Sequence, residues 1–84
     1  MHLVVAFSDH ARYQLKERHI SQREVTGVVH NPDKIIQQSP YRFRAFKIIT
    51  KQQTPYLLVV IYDHVNSSIE IVTAFYTSKI KKYL

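Results

Sequence analysis

The sequence predicts an α+β domain of order β-α-α-β-β-β-β, in which a helical hairpin packs on one face of a mostly antiparallel sheet. Two helix-start signals follow an apolar N-terminal segment, and both lie before residue 32. After residue 33 the apolar pattern changes to the period of two that strands show. A pair of helices followed by a run of strands indicates an α+β fold. The 84 residues suit a single domain, which we place at 1–84.

The apolar, β-branched residues 2–7 predict a buried first strand. Ser8 follows as an N-cap for the first helix, which is expected to end near His19. Ser21 and Glu24 have the spacing of a capping box, in which each side chain bonds the other residue's backbone N–H. This spacing predicts the start of a second helix, so that the two helices form a hairpin.

Pro32 ends the second helix, because the residue before a proline is pushed out of the α region. The continuous apolar run over 56–62 predicts a central strand that is covered on both faces. Polar turns are predicted at 51–55 and 63–68, and the last seven residues predict a basic amphipathic turn or helix. The four strands after the hairpin are expected at 34–37, 41–49, 56–62 and 69–76.

The composition favours an anionic partner and an intracellular, cytoplasmic location. Lys and Arg number 12 against 6 Asp and Glu, and the net charge of +6 suits nucleic acid, an acidic protein or a membrane surface. The chain has no cysteine, which excludes disulfides and thiolate metal sites. No apolar run approaches the ~20 residues of a membrane span, so we expect no membrane insertion. The five histidines lack metal-ligand spacing, and we expect neither metal nor cofactor.

His10 is the first candidate for chemistry. It falls in the first turn of the first helix, where the positive helix end favours the neutral imidazole that acts as a general base or acid. The alternative is a surface or capping histidine without a task. The same alternatives apply to Thr73 and Tyr76 in the last strand, which can hydrogen-bond a phosphate or donate a proton, or can be ordinary strand residues.

The strand at 41–49 interleaves aromatic and basic side chains. Alternation places Arg42 and Arg44 on one face and Lys47 on the other. Cations can bind phosphates and rings can stack on bases, so this pattern resembles a nucleic-acid surface. The alternative is a core face backed by a solvated basic stripe. Lys79 and Lys81 in the basic tail are further candidates for phosphate binding.

Without metal or cysteine, such residues suit RNA cleavage in which the ribose 2′-hydroxyl is the nucleophile. A base takes the hydroxyl proton, a cation stabilises the phosphorane, and an acid protonates the leaving oxygen. The site predicted from the residues has His10, Arg44, Thr73 and Tyr76 as catalytic groups. Its predicted phosphate-binding residues are Arg42, Lys47, Lys79 and Lys81.

The chain resembles a family of small bacterial domains of unknown function. The segment from His10 to Val25 follows the pattern H-A-x-x-R-(M/L)-x-E-R-G-I-(S/T)-x-x-(E/D)-V at all but two of its specified positions. The Asn-Pro turn at 31–32 and the Val-Thr-Ala-Phe close at 72–75 extend the resemblance over residues 8–76. The departures are Gln14, which replaces an arginine and a phosphate contact, and His19, which replaces a glycine. At His19 the chain must take positive φ, or the helix break is built differently.

The resemblance implies a RelE-like fold within the ribonuclease superfold that includes barnase and colicin nuclease domains. It implies metal-independent RNA cleavage held in check by an antitoxin. His10 would be the active-site histidine, and Arg18, the arginine of the E-R pair, would bind phosphate. Arg44 and Lys47 would be basic positions, and Thr73 the threonine of the last strand. Tyr76 is added on its place in the strand alone.

The first hypothesis is therefore an endoribonuclease toxin of a toxin–antitoxin system. Its expected partners are RNA, including mRNA on the ribosome, and an acidic antitoxin protein. The second hypothesis is a non-catalytic module of the same fold that binds RNA or an acidic protein. The third is a structural interaction protein. Its open edge, at the strand 34–37 or the strand 69–76, would pair with a partner or with a second copy in a homodimer.

Overall fold

The computed structural model of the chain describes residues 4–84. Positions 2 and 3 of the predicted first strand, including His2, lie outside that range. The architecture is the expected α+β arrangement of a mixed five-stranded sheet, two helices and a short C-terminal helix. In chain order the elements are β1 (Val4–Phe7), α1 (Asp9–Glu17), α2 (Gln22–His30), β2 (Lys34–Gln37), β3 (Arg42–Lys51), β4 (Thr54–Val65), β5 (Ser68–Thr77) and α3 (Ile80–Tyr83).

The strands form one sheet in the order β1-β5-β4-β3-β2. The expected edge at 34–37 is confirmed as β2, but the expected edge at 69–76 is wrong, because β5 pairs with both β1 and β4. β1 runs parallel to β5, and the other neighbours are antiparallel. The prediction of a mostly antiparallel sheet is confirmed, and so is the central place of the apolar strand, which is β4. None of the helices within residues 4–84 has the length and hydropathy needed to cross a membrane.

Both predicted helix starts are confirmed by side-chain caps. The Ser8 hydroxyl accepts the Ala11 N–H at 3.0 Å. At the start of α2 the Ser21 hydroxyl accepts the Glu24 N–H at 3.0 Å, and the Glu24 carboxylate accepts the Ser21 N–H at 3.1 Å. These bonds satisfy N–H groups that a helix end leaves without intrahelical partners.

The break between α1 and α2 is built on positive φ at His19, one of the two alternatives expected. His19 has φ 57°, a left-handed conformation that glycine adopts more easily. Its N–H donates to the Lys16 carbonyl at 3.2 Å, and the Ile20 N–H donates to the Leu15 carbonyl at 2.9 Å. This is the Schellman pattern of a helix C-terminus, and the paired apolar residues Leu15 and Ile20 are both buried.

The hydrophobic core has two parts because both faces of the sheet are covered. α1 and α2 bury one face, which we call the helix face. α3 covers part of the other, the outer face, where Ile80 and Tyr83 pack on Phe46. The core of the helix face contains Ala11, Leu15, Ile20, Val25, Val28, Val29, Ala45, Leu58, Val60, Tyr62, Ile69, Ile71 and Ala74.

Both predicted turns between the long strands are wrong in extent, because the strands pair almost to the end of each hairpin. Lys51 pairs with Thr54 across a two-residue turn. Gln52 and Gln53 form it with φ 51° and 66°, the doubly left-handed geometry of a type I′ turn. The second hairpin also has a two-residue turn, with Val65 paired to Ser68, but there only Asn66 has positive φ.

A β-bulge interrupts β5 beside α1. Ile61 pairs with Thr73 and Tyr62 with Ile71, so Val72 is the extra residue. The pairing of β1 with β5 also ends at Ile71. Beyond this point α1 packs against β5, and the side chains of the α1 C-terminus reach the end of that strand.

Candidate functional site

A groove of about 420 Å³ lies on the helix face, between the α1–α2 connection and the β3–β4 hairpin. Its position follows from the elements described above. The Schellman turn ends α1 at one wall, and the tight hairpin turn carries the ends of β3 and β4 to the other. The groove is lined by Arg18, His19, Lys51, Gln52, Thr54, Tyr56 and Tyr76.

Arg18 is held in place by β5. Its Nη1 donates to the Thr73 hydroxyl at 3.0 Å and to the Ala74 carbonyl at 2.8 Å. The Thr73 hydroxyl in turn donates to Gln14 Oε1 at 2.8 Å. A guanidinium has five N–H donors, so Arg18 keeps donors at Nε and Nη2 for a ligand while Nη1 orients the group.

Tyr76, Glu24 and Lys51 form a second cluster at the groove. The Tyr76 hydroxyl donates a hydrogen bond to Glu24 Oε2. Lys51 Nζ lies 3.7 Å from the same oxygen and 4.3 Å from the centroid of the Tyr76 ring. Tyr56 meets Tyr76 edge to face, with ring centroids 6.4 Å apart. The cluster therefore ties the start of α2 to β3, β4 and β5.

The pKa values in this cluster fix the charges of its members near neutral pH. Burial acts to raise the pKa of Glu24, but hydrogen bonds from Tyr76 and Ser21 outweigh it, and the pKa is lowered. Burial and the bond to Glu24 raise the pKa of Tyr76. Hydrogen bonding to Tyr76 is the main cause of a raised pKa of Lys51. The carboxylate is thus ionised, the phenol protonated and the ammonium charged.

The groove can accordingly hold an anion against an aromatic wall. Arg18 and Lys51 supply positive charge, and Tyr76 supplies a protonated hydroxyl whose hydrogen is bonded to Glu24. His19 supplies an imidazole, the side chain suited to taking or giving a proton near pH 7. The ring of Tyr56 supplies a stacking surface.

Three of the residues predicted for the site come together here: Arg18, Thr73 and Tyr76. His10 does not join them. It is exposed in the first turn of α1 and lines a separate hollow of about 450 Å³, together with Asp63 and Glu70. That hollow is acidic, so its charge differs from that of the groove.

The cations of β3 are divided between the two faces, as strand alternation predicts. Arg42 bonds Asp63 on the outer face through two contacts of 2.7 and 3.0 Å, which lower the pKa of that carboxyl. Arg44 also faces outward, and its buried Nε has no hydrogen-bond partner within residues 4–84. Lys47 lies on the helix face and donates to the Asn31 carbonyl at 3.0 Å.

Lys79 and Lys81 are exposed at the start of α3 and within it, away from the groove. The predicted phosphate-binding residues therefore lie on several separate surfaces of the molecule. Arg18 lines the groove, Lys47 caps α2, and Lys79 and Lys81 lie in the tail. Arg42 lies on the outer face, together with Arg44, which was predicted as a catalytic residue.

Sequence reasoning did not assign His19, Glu24, Lys51 or Tyr56 to the site. Glu24 was recognised only as a helix cap, and His19 only as a departure at the helix break. Lys51 and Tyr56 fell in or beside a turn that was predicted too long. A shorter turn would have placed both on the same face of the β3–β4 hairpin, because alternate strand residues share a face.

Comparison with known proteins gives a family but no relative of established activity. Neither the curated proteins nor the solved structures contain a match to the chain. Residues 7–83 match a family described as "Domain of unknown function (DUF4258)". This range includes both helices, β2 to β5 and every residue that lines the groove. The chain therefore belongs to the DUF4258 family.

Proposed function

We propose that the chain binds single-stranded RNA in the groove and cleaves it without a metal ion. The observation that carries this proposal is the convergence of Arg18, His19, Lys51 and Tyr76 on one groove. Two cations, an imidazole and a protonated phenol are the groups that phosphodiester transfer by a neighbouring hydroxyl requires. The net charge of +6 favours approach of a polyanion.

In the proposed reaction the ribose 2′-oxygen forms a bond to the adjacent phosphorus, and the bond to the 5′-oxygen breaks. His19 takes the proton of the 2′-hydroxyl. The Tyr76 hydroxyl, which bonds Glu24 in the free protein, turns to the leaving oxygen and gives it a proton, and the His19 imidazolium returns a proton to Tyr76 through solvent. Arg18 and Lys51 stabilise the charge that develops on the phosphoryl oxygens. The products are a 2′,3′-cyclic phosphate and a 5′-hydroxyl end, so atoms and protons balance without a co-reactant.

The groove suits a single strand better than a duplex. Single-stranded bases are free to stack on protein rings, and Tyr56 presents its ring at the groove beside Tyr76. A nucleotide can then place its base on Tyr56 and its phosphate between Arg18 and Lys51. The basic chain would be regulated by an acidic protein that covers this groove, as in the RelE-like toxin–antitoxin pairs that the sequence resembles.

The second candidate is an RNA-binding module of the same fold that does not cleave. One observation favours it. Burial and the bond to Glu24 raise the pKa of Tyr76, which makes the phenol a weak acid, and its hydroxyl already donates to Glu24. In this candidate the cluster serves only to hold Lys51 and Tyr76 against bound RNA.

Cleavage of a fluorophore-labelled single-stranded RNA in the presence of EDTA distinguishes the two candidates. Wild-type protein is expected to produce fragments that end in a 2′,3′-cyclic phosphate. His19→Ala is expected to slow cleavage by about 10²–10⁴-fold, the contribution of a positioned acid–base group. Binding without cleavage between pH 5 and 9 would favour the second candidate.

His10→Ala is the matched comparison, because it removes the other exposed histidine of α1 and its C-terminal turn. If the groove is the site, the cleavage rate of His10→Ala should lie within about twofold of the wild-type rate. If His10→Ala loses cleavage activity and His19→Ala keeps it, the acid–base group lies in the hollow beside Asp63 and Glu70. That result would contradict the proposed site.

A further inference from the structure

Two residues that line the groove have a left-handed backbone although neither is glycine. His19 has φ 57° and Gln52 has φ 51°. This conformation brings the Cβ atom close to the following carbonyl oxygen and is unfavourable for residues other than glycine. The glycine of the chain, Gly27, lies instead within α2. The two positions therefore carry side chains where glycine would relieve the strain.

The type I′ turn requires positive φ at Gln52, but it does not require a glutamine side chain. Gln52 is exposed, and its amide has no hydrogen-bond partner among residues 4–84. The preferred residues of such a turn are asparagine, aspartate and glycine, which tolerate positive φ. Side chains held in unfavourable backbone conformations are found preferentially where they contact a ligand. Gln52 lines the groove together with Arg18 and His19.

We propose that Gln52 reads the base of the nucleotide bound in the groove and is a specificity-determining residue. This inference rests on the proposed RNA binding. An amide offers one acceptor and two donor hydrogens, which can pair with the edge of a base that is splayed out of a single strand. Tyr56 is two residues beyond Thr54 on the same wall of the groove, so a base stacked on its ring lies within reach of the hairpin turn.

Gln53 provides a matched control within the same turn. It has φ 66° and is exposed, but it is not among the residues that line the groove. Gln52→Gly and Gln53→Gly remove the same side chain and the same kind of strain. Both variants are expected to fold, with Tm raised by about 2–6 °C because the left-handed positions are relieved.

The test measures the affinity of wild type, Gln52→Gly and Gln53→Gly for the four single-stranded RNA homohexamers by fluorescence anisotropy. Wild type is expected to prefer one base by about fivefold or more. Gln52→Gly is expected to weaken binding of that hexamer about tenfold and to lose the preference, whereas Gln53→Gly retains both.

Three results would overturn the inference. If wild type binds all four hexamers equally, Gln52 does not read the base. The same follows if Gln52→Gly keeps the base preference of wild type. Both results leave the proposed RNA binding intact. Equal losses in Gln52→Gly and Gln53→Gly would assign the effect to the turn backbone. Wild type that binds no hexamer overturns the proposed function itself and the inference with it.

Discussion

Glu24 joins two parts of the molecule through one carboxylate. Its Oε1 accepts the Ser21 N–H and so caps α2, while its Oε2 accepts the Tyr76 hydroxyl and lies near Lys51 Nζ. A carboxylate with donors on both oxygens is stabilised in its ionised form. The helix start and the donor groups of the groove therefore depend on the same charge.

The free energy of unfolding should consequently depend on the ionisation of Glu24. The folded chain lowers the pKa of Glu24 below its ordinary value of 4.5, so the unfolded state binds a proton more readily. The stabilisation is complete above about pH 5 and is lost as the pH falls through the folded pKa. Glu24→Gln should be less stable than wild type at pH 7, and the difference should shrink at pH 3.

Urea unfolding of both proteins at pH 7, 5 and 3 measures this dependence. Glutamine keeps the shape of the side chain but accepts hydrogen bonds through one oxygen only. The change of the difference with pH, rather than its size at pH 7, therefore reports the charge. A destabilisation of Glu24→Gln that is the same at all three pH values would contradict the ionised cluster.

The local part of this arrangement was predictable and the distant part was not. The Ser21–Glu24 spacing predicts the capping box because both partners lie within one helical turn. Tyr76 is 52 residues away from Glu24 in the chain. Local sequence patterns do not predict a contact between residues so far apart in the chain. This contact depends on how α2 packs against the sheet.

At the level of elements, Arg18 links the C-terminus of α1 to β5. β1 stops pairing with β5 at Ile71, and the bulge at Val72 follows. Arg18 contacts β5 just beyond this point, at the Thr73 hydroxyl and the Ala74 carbonyl. α1 is thus fastened to the stretch of β5 that β1 does not reach.

Arg18→Ala should lower the free energy of unfolding by about 1–2 kcal/mol, because it removes two hydrogen bonds made by a charged donor and leaves the Ala74 carbonyl without this partner. Arg12→Ala is the matched control, since Arg12 is an exposed arginine of the same helix. Chemical denaturation of the two variants measures the difference. Equal stability of Arg18→Ala and Arg12→Ala would show that these contacts do not fasten α1 to the sheet.

The elements themselves were largely predictable, and their ends were less so. Serine caps and Pro32 mark the helices because capping chemistry is local. The turn at Gln52 and Gln53 carries neither glycine nor asparagine, so nothing in the sequence marks a two-residue type I′ turn. The bulge at Val72 lies among strand-forming residues and depends on the pairing of β5 with β4.

Across the whole molecule, the fold divides a basic composition into separate surfaces. The net charge of +6 predicts an anionic partner but not the place where it binds. Alternation correctly placed Arg44 and Lys47 on opposite faces of the sheet. It did not identify the helix face, which depends on the contacts of α1 and α2. The groove was not predictable for the same reason, since its walls come from four parts of the chain.

Fluorescence anisotropy titration of a single-stranded RNA with wild type, Lys51→Ala and Lys16→Ala tests the central claim most directly. Both variants lose one positive charge, but Lys51 lines the groove and Lys16 is exposed on α1. Lys51→Ala is expected to weaken binding about tenfold and to reduce the salt dependence by about 0.7 in the slope of log K against log salt, the value for one phosphate contact on a single strand. Lys16→Ala is expected to bind within about twofold of wild type. Equal weakening by the two variants would mean that net charge alone attracts the RNA, and it would contradict the groove as the binding site.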